Sequence, residues 1–253
     1  NLNIPLPPIE DQKCIAETLD KTQEVIDGQK KQLKELDNLI KATFYDKFGD
    51  PANNSMGWEK VIIDNVYNII DGDRGINYPK QDDFSDSGYC MFLNTGNITK
   101  NGFDFKKIQY ITKEKDNQLR KGKLVREDIV FTTRGTVGNI AYYNHEIPHE
   151  TMRINSGMVL LREKSKKINP IFFVNLFKNV DMIRYYKKFL SGTAQPQLPI
   201  TNMRKIEIIL PPIELQTKFA EIVTNIEQQK SIVKKSITES ENLFNSLMSK
   251  YFD

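Results

Sequence analysis

Histidine, cysteine and tryptophan are scarce in this chain, at two, two and one among 253 residues. Cys14 and Cys90 stand far apart, which excludes a disulfide framework or a thiolate metal cluster and fits a reducing, cytoplasmic setting. The two histidines fall in one short segment, so a Ser/His/Asp or Cys/His arrangement has little to draw on. That segment, His145 to His149, reads HEIPH and formally meets the H-E-x-x-H zinc pattern. Pro148 forbids the continuous helix on which residues four apart share a face, and no metal site is expected. Triplets such as Asp11-Gln12-Lys13 are poor metal ligands because they lie along a helix and not after a buried strand. Neither a Walker-type phosphate loop nor G-x-G-x-x-G occurs. No apolar run approaches the ~18 residues of a membrane span, and no signal peptide opens the chain. A start at Asn1 without an initiator Met reads as a fragment of something longer.

What the chain does have is a repeat. Residues 6–10 and 210–214 both read LPPIE, each followed two places on by glutamine, Gln12 and Gln216, and the match keeps register without a gap. Ala16 pairs with Ala220, Glu35 with Glu239, Asn38 with Asn242, Leu39 with Leu243 and Phe48 with Phe252. In each copy two prolines fix an extended approach and donate no N–H, so a helix starts only after them, with Glu10 or Glu214 at its positive end. Ile15, Leu19, Thr22, Ile26, Gln29, Leu33, Leu36, Ile40 and Thr43 then step by four and three. The second copy gives Phe219, Val223, Ile226, Lys230, Val233, Ile237, Ser240, Phe244 and Leu247. A 3.5-residue period over about five heptads is the coiled-coil spacing, although a single amphipathic core helix shows a similar stripe. A helix of about 35 residues, roughly 50 Å long, needs a partner, and the repeat supplies one. Since one helix leads into the intervening segment and the other leaves it, they are expected to pack antiparallel. Polar seam residues Thr22, Gln29, Lys230 and Ser240 weaken such pairing but fix its register.

Net charge is +3 overall, but it is unevenly placed. Residues 1–50 carry 7 Lys and Arg against 10 Asp and Glu, residues 206–253 carry 5 against 7, and 51–205 hold 24 against 16. A basic centre between acidic helices fits a polyanionic partner; charge that is merely solvated has the same composition. The expected domains are therefore 1–50, a first long helix; 51–205, a globular mixed α/β domain; and 206–253, a second long helix that repeats the first. The fold class is α+β.

Within the centre, Asp46–Gly57 is a turn-rich linker and Trp58–Ile70 a strand, or a strand with a helical turn. Asp71–Gly88 is a long polar loop carrying Arg74 and Lys80. Tyr89–Leu93 reads as a strand, followed by Asn94 in NTGNI. Phe103–Thr112 reads as a further strand and Lys113–Arg120 as a short helix. Two strands, Ile129–Thr133 and Asn139–Tyr143, flank RGTVG, where Arg134 and Thr136 project beside glycines that let a backbone approach closely. Asn155–Arg162 is a strand and Pro170–Lys188 a helix. The polar loop SGTAQPQLPIT then places Gln195 and Gln197, whose amides suit adenine edges. A hairpin with a surface arginine, or a solvated glutamine, has the same local sequence.

Taken together, the paired LPPIE-x-Q helices, FTTRGTVGN at Phe131–Asn139, the Trp58 segment and FLSGTAQPQLPITNMRKIEIILPPIELQ at Phe189–Gln216 make the chain resemble a type I restriction-modification specificity subunit over essentially its whole length. The resemblance implies one target-recognition domain flanked by the two conserved spacer helices. It implies a non-catalytic DNA-recognition role in which one half of a bipartite double-stranded target is read. Methyltransferase subunits would dock on the chain and the restriction subunit act through them, with S-adenosylmethionine and ATP on those partners only and no cofactor here. No N/D-P-P-Y/F methyltransferase signature is present, since both PP pairs follow Leu. Candidate DNA contacts, chosen by loop position and chemistry, are Arg74, Lys80, Asn94, Arg134, Thr136, Gln195 and Gln197. A homodimer follows if the native chain is a half-subunit. The alternatives are the recognition part of a fused restriction-methylation enzyme, or a coiled-coil adaptor that binds only proteins.

Overall fold

The computed structural model describes residues 7–192 and 194–252; Leu6 and Thr193 of the motifs above lie outside that range. In chain order the elements are α1 (Ile9–Phe48), β1 (Lys60–Ile62), α2 (Ile63–Val66), β2 (Tyr67–Asp71), β3 (Cys90–Leu93), β4 (Ile98–Thr99) and β5 (Gly102–Phe103). There follow β6 (Tyr110–Ile111), α3 (Lys113–Gln118), β7 (Ile129–Thr132), β8 (Ile140–Tyr142), β9 (Met152–Ile154) and β10 (Met158–Glu163). The chain ends with α4 (Pro170–Lys178), α5 (Val180–Lys187), α6 (Ile200–Met203), β11 (Glu207–Ile209) and α7 (Ile213–Phe252). No helix among the described residues is long and apolar enough to cross a membrane.

The chain forms two compact units. One takes α1 up to Thr43 with α7 from Glu221 onward; the other is Phe44–Ala220.

In the helical unit, both 40-residue helices begin directly after their proline pair, with Gln12 N donating to Pro8 O at 3.0 Å and Gln216 N to Pro212 O at 3.2 Å. Acidic first turns and a lysine in each last turn, Lys47 and Lys250, complement the helix dipoles. The helices run antiparallel, because partner numbers fall on one as they rise on the other. Gln29 Nε2 donates to Ser236 Oγ at 2.8 Å, and Lys230 Nζ lies 2.7 Å from Asp37. Ile26, Ile40, Val223, Ile226, Val233 and Ile237 are buried. Each such side chain contributes ~1.5–3 kcal/mol when fully covered, whereas a half-exposed pair such as Lys30–Glu241 contributes about 1 kcal/mol at most. The apolar stripe therefore holds the pair, and the polar contacts set its register.

The unit Phe44–Ala220 is built on an antiparallel sheet in the order β2-β10-β7-β8. Every residue of β7 is buried, so this central strand is apolar on both faces. Val130 packs with Leu160, Met91 and Ile154 on one face. On the other, Phe131 meets the rings of Phe177 and Tyr186 at 5.8 and 6.0 Å. A second sheet, β6-β3-β9, pairs β3 with β9 in parallel. The domain is clasped at its base by β1 and β11, with Lys60 opposite Ile209, and by Leu210 N donating to Glu59 O at 2.8 Å. Beside that clasp the rings of Phe44, Phe48, Phe172 and Phe219 form a cluster with centroids 4.8–6.0 Å apart, and Trp58 Nε1 donates to Phe48 O at 3.1 Å.

Four sequence expectations need correction. Phe103–Thr112 is not one strand: Asn97 Nδ2 donates to Asp104 O and Lys107 O, pulling the middle into a loop between β5 and β6. Pro170–Lys188 is two helices, because Asn179 Oδ1 accepts from Asp181 N at 2.8 Å and starts α5 afresh. The strand expected from Asn155 begins at Met158, since Asn155 Oδ1 accepts from Gly157 N in a turn. Finally, Met152–Ile154 is a strand that the pattern does not show.

Candidate nucleic-acid interface

Register places several strand ends at one edge of the Phe44–Ala220 unit. Asp71, the last residue of β2, pairs with Val159, and Thr132, the last of β7, pairs with Met158. Leu93, the last of β3, pairs with Ile154, the last of β9. The connections after β2, β3, β7 and β9 therefore emerge together. Hydrogen bonds then stitch them. Thr133 N and Arg134 N both donate to Gly157 O, at 2.9 and 3.1 Å, and Asn155 N donates to Leu93 O at 2.9 Å. A fifth segment joins through Leu198 N, which donates to Thr133 O at 2.9 Å. Gly157 is required in this seam because a side chain there would collide with Thr95.

Arg74, Arg134 and Gln197 line one recess of about 250 Å³ at this edge, with Asp71, Thr133 and Thr201 also in its wall. Arg74 is held in place: one terminal nitrogen lies 3.2 Å from Asp71 Oδ1 and 3.2 Å from Ser156 O. A guanidinium fixed on one side keeps its remaining donors in a defined direction, which is the geometry that bidentate recognition of a guanine edge or a phosphate requires. Arg134 is exposed and projects from the turn after β7, where Gly135 and Gly138 take φ of +68° and +102°. Gln197 is half-buried, its backbone bridged to Ser191 in both directions at 2.9 Å.

The remaining candidates are placed differently. Asn94 caps the turn after β3, its Oδ1 accepting from Gly96 N at 2.8 Å, which leaves its amide donors free of that role. Thr136 is exposed, and its carbonyl accepts from Thr132 Oγ1 at 2.5 Å. Gln195 is exposed at the tip of the Ser191–Gln197 hairpin. Lys80 does not line the recess; its N–H donates to Asp83 Oδ2 at 2.8 Å further along the Asp71–Gly88 loop.

Asp73, Arg120 and Lys121 also shape this edge and are not among the sequence candidates. A second recess, of about 230 Å³, adjoins Arg74 and takes in Asp73, Arg120 and Lys121. Burial works to raise the Asp73 carboxyl, but the N–H groups of Gly75 and Arg120, both at 2.7 Å, and the Arg120 guanidinium outweigh it and hold it at about 2. The signal lies in DGDRG, Asp71 to Gly75, where two carboxylates precede an arginine.

Nucleophilic and metal chemistry has less to build on here. Cys90 is fully buried, and burial, with Asp116 beside it, pushes its thiol up to about 12. His145 Nε2 lies 3.5 Å from Glu127, and the His149 ring packs edge-on against Phe105 at 4.6 Å. The thirteen apolar candidates for helix pairing lie elsewhere in the fold: Ile15, Leu19, Leu33, Leu36, Phe244 and Leu247 are half-buried; Ile26, Ile40, Phe219, Val223, Ile226, Val233 and Ile237 are buried. Phe219 packs in the aromatic cluster beside the clasp.

Residues 56–242 match the family model for the type I restriction modification DNA specificity domain. Among individual proteins, the chain is 24% identical over 276 residues to the type I restriction enzyme EcoBI specificity subunit of Escherichia coli, covering 98% of this chain and 57% of that one. It is 27% identical over 270 residues to the MjaVIII specificity subunit of Methanocaldococcus jannaschii, covering 98% and 60%. A solved structure of the HsdS subunit from Thermoanaerobacter tengcongensis shares the fold, with TM-score 0.60 and 20% identity over 98% of this chain and 60% of that one. An S subunit from M. genitalium gives 0.55 and 16%, over 96% and 59%. The chain thus spans somewhat over half the length of these relatives.

Proposed function

We propose, because the chain belongs to the type I restriction modification DNA specificity family, that it reads one half of a bipartite double-stranded DNA target. Residues 51–205 would serve as the recognition domain, and the segments 1–50 and 206–253 as spacers. The observation that carries this reading is the convergence of Arg74, Arg134 and Gln197, 60 or more positions apart in sequence, on one recess at a common strand edge.

The physics divides into two parts. The basic centre, with 24 Lys and Arg against 16 Asp and Glu over 51–205, meets phosphates first and gives salt-dependent, sequence-blind affinity. Guanidinium and amide groups at the recess then discriminate base edges in the major groove, at ~1–3 kcal/mol for each good bidentate pair. The helix pair sets the spacing between half-sites; roughly 50 Å of helix corresponds to about 15 base pairs. Its outward surfaces dock the methyltransferase subunits, which carry S-adenosylmethionine, and through them the restriction subunit, which uses ATP. The chain itself performs no catalysis and works in the cytoplasm. If a second recognition domain is not supplied by a longer chain, a second copy of this one supplies the other half-site.

Binding to a randomised duplex library at two salt concentrations tests the reading. Arg134→Ala should change the preferred sequence, whereas Lys106→Ala should weaken all duplexes alike and lower the salt slope by about 1. A chain without sequence preference, or an Arg134→Ala chain with the original preference, refutes it. A protein-only adaptor would bind no duplex at either salt concentration.

A further inference from the structure

We propose that Ile76 is a specificity residue, packing against the 5-methyl group of a thymine in the major groove. The inference rests on the reading of the central domain as a DNA reader and adds one determinant to it. Single apolar side chains are common on protein surfaces, so exposure alone carries nothing. Ile76 differs in degree and in mounting. It is 96% exposed, against 69% for Ile232, the next most exposed large hydrophobic side chain among the described residues.

Its mounting is bonded at both ends. Tyr78 N donates to Gly75 O at 3.0 Å, closing a turn with Ile76 and Asn77 at its corner. Both ends of that turn are anchored. Gly75 N donates to Asp73 Oδ1 at 2.7 Å, while the Tyr78 ring packs against Phe92 at 5.8 Å. Asp73 Oδ2 in turn accepts from Arg120 N at 2.7 Å, tying the loop to the chain after α3. Ile76 is therefore carried outward by a braced turn and does not fold back onto the domain.

Its surroundings name the partner. Gly75, one residue before it, lines a recess with Arg74, Arg120 and Lys121 and with Asp71 and Asp73, which pair with the two arginines. A recess with a net positive charge one residue from a branched aliphatic group matches a surface that offers phosphates and an isolated apolar feature. The thymine methyl is that feature in the major groove, and aliphatic side chains are the groups that read it.

The test replaces each thymine of the preferred duplex singly by uracil, which removes one methyl group and leaves the hydrogen-bonding edge intact. The wild-type chain should lose roughly 4-fold in affinity at one position, the value of one buried methyl. Ile76→Ala should bind the thymine and uracil duplexes equally at that position, with the wild-type salt slope and unchanged melting temperature. Ile76→Val should retain part of the discrimination. Wild-type chain indifferent to every uracil substitution overturns the proposal, as does Ile76→Ala still separating thymine from uracil. A wild-type chain that prefers no sequence at all fails earlier, at the reading of the domain, and takes this proposal with it.

Discussion

Gln12 and Gln216, 204 positions apart, make the same local bond: each side-chain amide donates at 2.7 Å to the carbonyl of the first proline in its own LPPIE motif. The bond caps the turn that the proline pair begins. Only the second glutamine is also built into a core. Gln216 is fully buried, its Oε1 accepting from Asn169 N at 2.9 Å and its Nε2 donating to Lys167 O at 3.1 Å.

Gln216→Ala should accordingly cost about 2–3 kcal/mol, because it strands the Asn169 N–H as well as removing its own bonds. Gln12→Ala should cost less than ~0.5 kcal/mol, since water replaces the partner. Urea unfolding of the two variants checks the contrast, and equal losses would contradict it.

Truncation along α1 should separate the packed stripe from the solvent face. Ile26 is 2% exposed and Val25, one residue away, is 51%. Ile26→Ala should lower stability by ~2–4 kcal/mol and Val25→Ala by about 0.5 kcal/mol or less. Thermal melts followed by helical circular dichroism report both.

On the proposed function, Asp71 would serve as a positioning residue for Arg74, whose guanidinium it holds at 3.2 Å. Asp71→Asn removes the charge that holds the guanidinium but keeps the shape. It should broaden base preference at one position while shifting stability by no more than ~1 kcal/mol, since the ion pair is half-exposed. Selection from a randomised duplex library reads the preference; an unchanged consensus would show that Arg74 needs no such support.

Asp73 gives the acid limb of stability a component of known sign. Its folded carboxyl sits at about 2 against an ordinary 3.8, so the unfolded chain takes up this proton first as pH falls. The contribution, about 2 kcal/mol, is complete by pH ~5, above the unfolded pKa, and is lost as pH falls from there toward ~2. Unfolding free energies of wild type and Asp73→Asn, measured from pH 5 to pH 2, should converge at the acid end.

Tyr67 offers a gain. Its hydroxyl is buried and has no hydrogen-bond partner in the structure, and burial pushes its pKa well above the usual value. Tyr67→Phe keeps the ring packed on Phe173 at 4.6 Å and should raise stability by about 1 kcal/mol. A lower melting temperature in the variant would show that the hydroxyl is satisfied after all.

Sequence shows the long helices and the general class of the centre for a physical reason: both rest on periodicity and local chemistry. Proline pairs mark the helix starts, and the apolar period marks the face that Ile26, Ile40, Val233 and Ile237 bury. What it conceals depends on partners distant in the chain. Met152–Ile154 reads as polar because Arg153 sits in its centre; yet Arg153 is 5% exposed, paired with Asp116 and donating to the Leu119 and Lys121 carbonyls. The break at Asn179 had a local mark, Asn followed by Val and Asp, the pattern of a fresh helix cap inside an apolar stretch. At the candidate interface, residue types singled out Arg74, Arg134 and Gln197, but their shared recess follows from strand register that no local pattern displays. The same applies to Lys80, chosen with them and placed away from that recess.

Where β1 meets β11, the two backbone threads of the central domain, Lys60 and Ile209, lie side by side. Most of the domain lies between them, with Phe172 and Asn169 reaching back to Phe44, Phe48 and Gln216. The chain thus departs on this excursion and returns from it at neighbouring backbone positions. Under the proposed function, such an arrangement would let target choice vary within the excursion while its points of attachment stay fixed. New specificity would then call for a transplant at two adjoining backbone positions.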